Sequence, residues 1–451
     1  MKKIMLITAP VTSRSGYGSH ARDLVWSFIQ HDKYDVKILD VRWGDTPKNA
    51  LDKDNPKDKQ ILDCILLKPE MDRQPDIYVD IRIPNEFETY GKFNVGITAG
   101  IETNAVSGKW LEGCNKMDLV IVPSEHSKYG FTNTVYDKVQ NIPDGKQEKI
   151  GEMRLEKPIE VLFEGADEDI YKPLDVKEID KDFLNMINDK ISNTFAYLLV
   201  GQWTKGGYGE DRKDIGRTIK VFYEAFANKK KQPVLILKTS GATFSIIDRE
   251  DTLQKIQSVK SQFPSDWKLP EIYLLHGDLS DKEMNYLYNH PKVKILVSFT
   301  HGEGFGRPML EATMTGLPVV ASGWSGQIDF LDSEKSILLT GEMQKVPGSA
   351  VWKDIVIPES QWFTVDEQIA YRALNYSFDN VYTIKNRAKS LMGINRDKFT
   401  LNNMAKKLGE IMDKYTKDLP SQVGLKLPKL KKVDGNKQEL PKIKLPKLKK
   451  V

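Results

Sequence analysis

The chain has 451 residues, a formal net charge of +4 and an apolar fraction typical of soluble proteins, so we expect two large α/β domains or three smaller ones. Its two cysteines, Cys64 and Cys114, lack C-x-x-C spacing, which indicates neither a disulfide framework nor a zinc site. No apolar run approaches membrane-spanning length. The N-terminal MKKIMLIT is too short for a signal peptide and predicts a first strand. We therefore expect a cytoplasmic protein.

The first 40 residues predict a strand at 3–8, a loop, a helix from Gly16 to about Gln30 and a strand at 35–40. The pattern Gly16-x-Gly18-x-x-Ala21 followed by Asp40 mimics a dinucleotide-binding fingerprint. That fingerprint needs a tight turn directly after the strand, and seven residues intervene here. The dehydrogenase interpretation is therefore disfavoured.

Residues 45–59 are charged and interrupted by proline, which predicts a surface loop. The loop contains Asp52-Lys53-Asp54, formally a D-x-D pattern of the kind that binds metal in some enzymes. Because no buried strand precedes it, a solvated loop is favoured over a metal site. Apolar strands follow at 76–82, 93–99 and 119–123.

The second half predicts a buried parallel strand at 195–201 and another strand at 234–239. An apolar run at 293–299 leads into a turn with glycines at 302, 304 and 306, a short helix at 309–315 and a strand at 317–321. This is a βαβ unit whose glycine-rich loop meets a helix N-terminus. Free N–H groups and the helix dipole favour an anion there.

Two carboxylates flank that helix start, Glu303 and Glu311, with seven residues between them. A carboxylate only accepts hydrogen bonds and can take two hydroxyls at once, as adjacent sugar hydroxyls offer. The loop amides would then hold a phosphate while the carboxylates hold sugars. The alternative is that Glu311 only complements the helix dipole and Glu303 is solvated.

The stretch E-G-F-G-x-P-x-L-E-A-x-x-x-G-x-P-V-V-A-S, residues 303–322, resembles the nucleotide-sugar site of retaining glycosyltransferases of family 4. The resemblance implies the α/β GT-B architecture, with two Rossmann-like domains facing a cleft and C-terminal helices crossing back to the first domain. Weaker similarity reaches about residue 415. We predict an acceptor-side domain at 1–165, a nucleotide-sugar domain at 166–375 and crossing helices at 376–418, with helical segments at 378–391 and 399–415.

The resemblance also implies roles for individual residues. Glu311 would bind the donor ribose and Glu303 the transferred sugar. Other residues would line the donor pocket from either side of the cleft: Gly304, Phe305 and Gly306 on one side, Gly16 and Gly18 on the other.

On the acceptor side, residues 94–103 resemble the family's turn that carries a glutamate near the reacting sugar, here Glu102. Residues 120–131 resemble the following strand and turn, which place Ser124 and His126 near the cleft. His20 is a further candidate. For both histidines, the alternative is a satisfied core or surface residue. Residues 159–167 resemble the strand leading to the second domain, and residues 272–276 and 279–288 resemble the strand and the helix that precede the glycine-rich motif.

The family neutralises the donor diphosphate with an arginine soon after a glycine and a lysine further on. Here Gln202 follows the glycine and an insertion at 204–211 comes next, so we assign this role to Arg212 and Lys213. Lys238, at the end of a predicted strand, would either reach the phosphates or remain a surface charge. The resemblance implies a metal-independent enzyme without a cofactor other than its nucleotide-sugar donor.

After residue 419 the composition changes, and KLPKLKKV occurs at 426–433 and again at 444–451. Residues 424–451 carry ten lysines against two acids, a net charge of +8, which leaves −4 for the rest. The prolines in this segment prevent a long helix, and the many lysines prevent it from forming a packed hydrophobic core. We expect a disordered basic tail that attracts an anionic partner: a membrane surface, a nucleic acid or an acidic protein.

We therefore predict a retaining glycosyltransferase that moves a sugar from a nucleotide-diphosphate sugar to a glycan or protein acceptor, in the cytoplasm or peripherally at a membrane. Two alternatives stay open. One is a viral-type DNA-base glycosyltransferase, which the acidic body disfavours but the basic tail keeps open. The other is a binding protein for nucleotide sugars or glycans that has lost catalysis.

Overall fold

The computed structural model describes residues 2–141, 147–204, 208–241 and 243–420. They form two α/β domains, each built on a six-stranded parallel sheet. Within these residues, no helix has both the length and the hydropathy needed to cross a bilayer.

The first domain has strand order β2-β1-β3-β4-β5-β8. Its strands are β1 Lys3–Ala9, β2 Tyr34–Asp40, β3 Ile77–Ile81, β4 Phe93–Ile97, β5 Leu119–Val122, β6 Tyr136–Asn141, β7 Gln147–Met153 and β8 Ile159–Val161. Its helices are α1 Gly16–Gln30, α2 Pro56–Leu62, α3 Gly108–Lys116 and α4 Glu125–Asn133. β6 and β7 pair with each other as a separate antiparallel hairpin.

The second domain has strand order β11-β10-β9-β12-β13-β14. Its strands are β9 Ala196–Val200, β10 Val234–Lys238, β11 Ile272–Leu274, β12 Val293–Ser298, β13 Val319–Ser322 and β14 Ile337–Leu339, and β15 Gly341–Lys345 pairs antiparallel with β16 Gln361–Val365. Its helices are α5 Lys181–Asn188, α6 Ile215–Phe226, α7 Ile246–Lys260, α8 Asp281–Asn289, α9 Arg307–Met314, α10 Glu367–Asp379 and α11 Val381–Lys398. A final helix, α12, spans Leu401–Thr416.

The central strands are buried on both faces, as their continuous apolar runs predicted. Every residue of β3 and β5 is buried, and so are five of the six residues of β12. Helices cover both sides of each sheet, which is the usual reason that parallel strands lack an alternating pattern. The two Rossmann-like domains predicted from the sequence are confirmed.

Helix α12 crosses back onto the first domain. Its apolar face places Leu401, Met404 and Leu408 in the same core cluster as Phe28 of α1. The returning chain is also hydrogen-bonded to the connecting segment, since the Ala166 N–H donates to the Phe399 carbonyl at 3.0 Å and the Leu401 N–H donates to the Ala166 carbonyl at 2.8 Å. The last helix thus joins the two domains.

The C-terminal segment differs in part from the sequence prediction. The helix predicted at 378–391 is interrupted at Asn380, which lies between α10 and α11. Both of these helices still pack on the second domain, where Leu374, Ile384 and Leu391 enter its core clusters. Within the predicted crossing segment 376–418, α12 is the helix that reaches the first domain.

Two other predictions need correction. The predicted loop at 45–59 runs into α2, because the Asn55 side chain caps that helix by accepting hydrogen bonds from the Lys57 and Asp58 N–H groups. The strand predicted at 159–167 shortens to β8, since the chain pairs with β5 over only three residues before it turns toward the second domain. Residues 421–451, including both KLPKLKKV copies, lie outside the described residues.

Candidate functional site

The candidate site lies where the glycine-rich loop after β12 meets the turn after β4. The two backbones approach so closely that a Cβ on Gly302 would lie 2.0 Å from the Glu102 carbonyl oxygen, and one on Gly304 would lie 1.9 Å from that of Ala99. Only glycine tolerates such an approach. The carboxyl ends of strands from both sheets therefore face one another here, as ligand sites in open α/β sheets do.

Glu303 is paired with two cations in this loop. Its carboxylate oxygens lie 2.5 Å from Lys213 Nζ and 3.1 Å from Arg212 Nη1. Arg212 Nε is also 3.5 Å from a carboxylate oxygen of Glu102, which comes from the first domain. The structure thus brings together four residues that the sequence analysis singled out.

The protonation states in this cluster follow from burial and pairing. Burial alone would raise the pKa of Glu303, which is 6% exposed, but Lys213 and Arg212 outweigh it and hold that pKa below its usual range. Burial lowers the pKa of Lys213, with Glu303 opposing that shift. Burial would also lower the pKa of Arg212, but Glu102 and Glu303 raise it. Pairing therefore favours the ionised forms of Glu303 and Arg212.

Backbone contacts set the position of the two cations. The carbonyl of Arg212 accepts hydrogen bonds from the His301 N–H at 2.8 Å and from Thr300 Oγ1 at 3.2 Å, just after β12. The Lys213 side chain passes over Gly201, where a Cβ would lie 3.2 Å from its Cδ. The loop after β9 is thereby anchored to the end of β12, despite the insertion that separates these residues from Gly201.

Glu311 is buried at 7% exposure and has partners of its own. It accepts hydrogen bonds from Arg307 Nε at 3.0 Å and from the Tyr288 hydroxyl at 3.2 Å. Arg307 also reaches the first domain, with its Nη1 2.5 Å from a carboxylate oxygen of Asp23. Glu311 thus serves an interdomain network instead of only complementing the dipole of α9.

The start of α9 differs slightly from the prediction. The helix begins at Arg307, so Pro308 occupies its second position, and Gly306 precedes it with φ of +100°. Glycine suits this left-handed backbone. The Phe305 side chain is buried in the core of the second domain, which leaves only its backbone near the cleft.

Glu164, which no local sequence pattern marks as a site residue, lies in the segment after β8 with 7% exposure. Burial raises the pKa of its carboxyl to about 7, Arg307 lowers it, and the carboxylates of Asp23, Glu311 and Glu303 raise it further. Arg307 and Asp23 were missed, because isolated charged residues in a helix or a loop give no local signal of an interdomain contact.

The two candidate histidines, buried His20 and half-buried His126, are both neutral near pH 7. Burial and the nearby Arg307 lower the pKa of His20 to about 4. Burial lowers the pKa of His126 to about 4, and its ring meets Trp324 edge-on with the centroids 4.5 Å apart. In the same turn, Ser124 Oγ donates to the Gly304 carbonyl at 2.6 Å, so this turn borders the glycine-rich loop.

The N-terminal glycine loop approaches the same cleft. Gly18 packs tightly, since a Cβ there would lie 2.2 Å from the Ser13 carbonyl oxygen, whereas no atom lies within 4 Å of a Cβ on Gly16. The Tyr17 hydroxyl accepts a hydrogen bond from the Ala99 N–H at 3.0 Å. The start of α1 is thereby tied to the turn that carries Glu102.

The Lys238 side chain contacts the loop that follows β11. Its Nζ donates to the Gly277 carbonyl at 2.7 Å at the end of β10. Asp52-Lys53-Asp54 lies on the surface, where an Asp52 carboxylate oxygen accepts from the Asp54 N–H. Among the residues that the structure describes, no cluster of three or more His, Cys, Asp or Glu side chains is arranged to hold a metal ion.

We expect Glu164→Gln to stabilise the protein more at pH 8 than at pH 5. The Glu164 carboxyl has a pKa of about 7 in the folded protein, against about 4.3 in an unfolded chain. Because the folded protein binds this proton more tightly, the free energy of unfolding of the wild type falls as the pH rises between these two values. Glutamine does not titrate, so at pH 8 the free energy of unfolding of the variant should exceed that of the wild type by on the order of 1–3 kcal/mol. Thermal unfolding of both proteins from pH 5 to pH 8 measures this difference.

Glu160→Gln is the matched control in the neighbouring strand. Burial would raise the pKa of Glu160, but hydrogen bonds from Lys414 and Tyr415 lower it, so this substitution should bring no gain at high pH. Equal pH profiles for wild type and Glu164→Gln would show that Glu164 is ionised in the fold.

No protein-family model and no curated protein matches the sequence. Solved structures match nearly the whole chain. HepE from Anabaena in complex with UDP and glucose is 14% identical, with a TM-score of 0.56 over 91% of this chain and 100% of that one. Sucrose-phosphate synthase from Thermosynechococcus elongatus is 12% identical, with a TM-score of 0.59 over 92% and 99%.

A glycosyltransferase from Rickettsia africae is 14% identical, with a TM-score of 0.58 over 92% of this chain and 99% of its own. At these identities the similarity concerns the fold. The two parallel-sheet domains have the architecture of GT-B glycosyltransferases, as the sequence motif implied.

Proposed function

We propose that this protein is a retaining glycosyltransferase that moves a sugar from a nucleotide-diphosphate sugar to a hydroxyl of a glycan or protein. The observation that carries the proposal is the pairing of Glu303 with Lys213 and Arg212 at the carboxyl end of the second sheet, opposite Glu102. A site with fixed cations beside a sugar-binding carboxylate suits a donor that joins a diphosphate to a sugar.

The two cations would hold the donor diphosphate. Without a donor, Glu303 and Glu102 balance the charges of Arg212 and Lys213. A bound diphosphate would compete for these cations and free the oxygens of Glu303 for hydroxyls of the transferred sugar. Fixed cations and loop amides would stabilise the leaving nucleotide diphosphate, so the chemistry needs no metal.

Glu311 would hold the donor ribose. Each of its oxygens has one protein partner, Arg307 or Tyr288. A carboxylate oxygen offers two lone pairs, so both oxygens retain capacity for ribose hydroxyls. These partners would also hold the carboxylate in place before the donor arrives.

Retention would follow front-face attack. The bond between the sugar anomeric carbon and the phosphate oxygen breaks, a bond from that carbon to the acceptor oxygen forms, and the acceptor proton passes to the leaving phosphate oxygen. We assign no side-chain nucleophile. On the acceptor side, the neutral imidazole of His126 would position the acceptor hydroxyl. Glu102 would position the reacting sugar.

UDP and UDP-glucose are the first ligands to test, because the structure of HepE was determined with UDP and glucose. Thermal unfolding with each nucleoside diphosphate measures donor-base preference, and a ligand at about 100 times its Kd stabilises by about 2.7 kcal/mol. Slow hydrolysis of the matching nucleotide sugar measures turnover. If no nucleoside diphosphate stabilises the protein, the proposed function is wrong.

The carboxylate substitutions should separate binding from turnover. Glu311→Ala should weaken donor binding and Glu303→Ala should mainly lower kcat, each by about 2–4 kcal/mol, comparable to the loss of one transition-state hydrogen bond. Steady-state donor hydrolysis gives both constants. Glu112→Ala, an exposed site on α3, is the control. Near wild-type kinetics in both variants would contradict the site assignment.

Activity should survive chelation. Arg212 and Lys213 are paired with Glu303 at the glycine-rich loop. Because these cations would neutralise the diphosphate in place of a metal, EDTA should leave donor hydrolysis unchanged. Complete loss with rescue by manganese or magnesium would instead indicate a metal-dependent reaction and would direct attention back to Asp52-Lys53-Asp54.

The basic tail is proposed to attract an anionic surface or partner to the enzyme. Its net charge of +8 lies within residues 424–451, and each lysine near an anionic membrane adds about 1 kcal/mol of attraction. Leu419 packs partly against the core of the first domain, so a clean truncation must retain it.

Truncation after Pro420 should therefore leave donor affinity and hydrolysis unchanged while it weakens binding to anionic vesicles or DNA. Binding of the full-length chain should fall steeply with salt. Sedimentation with vesicles and DNA mobility shifts across a salt series compare the two forms. Indistinguishable binding would contradict a docking role, and loss of hydrolysis would place the tail within the folded enzyme.

A further inference from the structure

The backbone of Glu303 is held by a second loop, the one that follows β13. Its N–H donates to Ser325 Oγ at 2.9 Å, and its carbonyl accepts a hydrogen bond from the Gly326 N–H at 3.0 Å. Gly326 is so close to the glycine-rich loop that a Cβ there would lie 2.2 Å from the Gly304 carbonyl oxygen. The two loops therefore lie side by side at the candidate site.

Ser325 has an unusual backbone for a residue with a side chain. Its φ is 76° and its ψ is −159°, a region that is populated almost entirely by glycine. The residue is 1% exposed, so its hydroxyl does not serve solvent. A glycine would remove the strain, and a serine is tolerated only where its side chain compensates.

The Ser325 hydroxyl connects Glu303 to the end of β13. It accepts from the Glu303 N–H and donates to Gln327 Oε1 at 2.8 Å. Gln327 is fully buried, and its Nε2 donates to the carbonyl and the hydroxyl of Ser322, both at 3.0 Å. This chain of hydrogen bonds starts from a buried strand and ends at the backbone of Glu303, so it is suited to fixing that backbone.

We propose that Ser325 is a positioning residue, which holds the Glu303 backbone so that the carboxylate meets Lys213, Arg212 and the transferred sugar in one geometry. This inference rests on the proposed glycosyl transfer. Without the hydroxyl, the buried Glu303 N–H loses its partner. Misplacement of a catalytic group by about 1 Å costs on the order of 100-fold in rate, which is why a strained serine would be retained here.

Two substitutions separate positioning from strain. Ser325→Gly removes both the strain and the hydroxyl, whereas Ser325→Ala keeps the strain and removes only the hydroxyl. We expect both variants to lower kcat for donor hydrolysis by about 10–100-fold, with donor KM within about twofold of wild type. We also expect the glycine variant to unfold at a higher temperature than the alanine variant.

A merely structural role for Ser325 gives a different result. The glycine variant would then be at least as active as wild type, and that outcome overturns the proposal. Ser360→Ala removes another fully buried hydroxyl, one that donates to the Ile357 carbonyl, and should leave kcat unchanged. In a Glu303→Ala background, Ser325→Gly should lower kcat no further, because Ser325 acts through Glu303. A full additive loss in the double variant would contradict the proposal.

Hydrogen exchange tests the positioning without any turnover. The Glu303 amide should exchange faster in both Ser325 variants than in wild type, whereas it should be unchanged in Ser360→Ala. Unchanged protection in the Ser325 variants overturns the proposal whatever the activity. Faster exchange in a protein that neither binds nucleoside diphosphates nor hydrolyses any nucleotide sugar would support the positioning and contradict only the proposed function.

Discussion

The cleft depends on the buried ion pairs of Glu303. Burying a lone carboxylate or a lone cation costs several kcal/mol, and pairing recovers this cost only where geometry and hydrogen bonds are good. Here Lys213 and Arg212 approach separate oxygens of one carboxylate, and Glu102 takes the remaining side of Arg212. The loop after β9, the loop after β12 and the turn after β4 must therefore keep fixed relative positions.

Small residues make this arrangement possible by allowing backbones to touch. Gly302 and Gly304 lie against the turn of the first domain, and Gly326 lies against Gly304. The same interface carries charged contacts, because Arg307 at the start of α9 bridges Asp23 of the first domain and Glu311. The candidate site thus belongs to both domains, and any opening of the cleft would break ion pairs as well as backbone packing.

The pKa values of two carboxylates in this cleft are shifted in opposite directions because their neighbours differ. Glu303 has two cations in contact, which hold its pKa down against burial. Burial raises the pKa of Glu164 to about 7, with the surrounding carboxylates assisting that shift and Arg307 opposing it. Such divergence among nearby acids is typical of functional sites.

Local sequence determined the two parallel sheets, the glycine-rich loop before α9 and the two carboxylates that flank the start of this helix. Apolar runs, glycines and helix signals act over short distances, so they can be recognised in the sequence. Tertiary structure decided which charges meet. Glu303 and its cations are 90 and 91 positions apart, and Asp23 and Arg307 are separated by 284. No local pattern encodes these pairs, nor the strained backbone of Ser325, because they arise only when loops from different strands and domains converge.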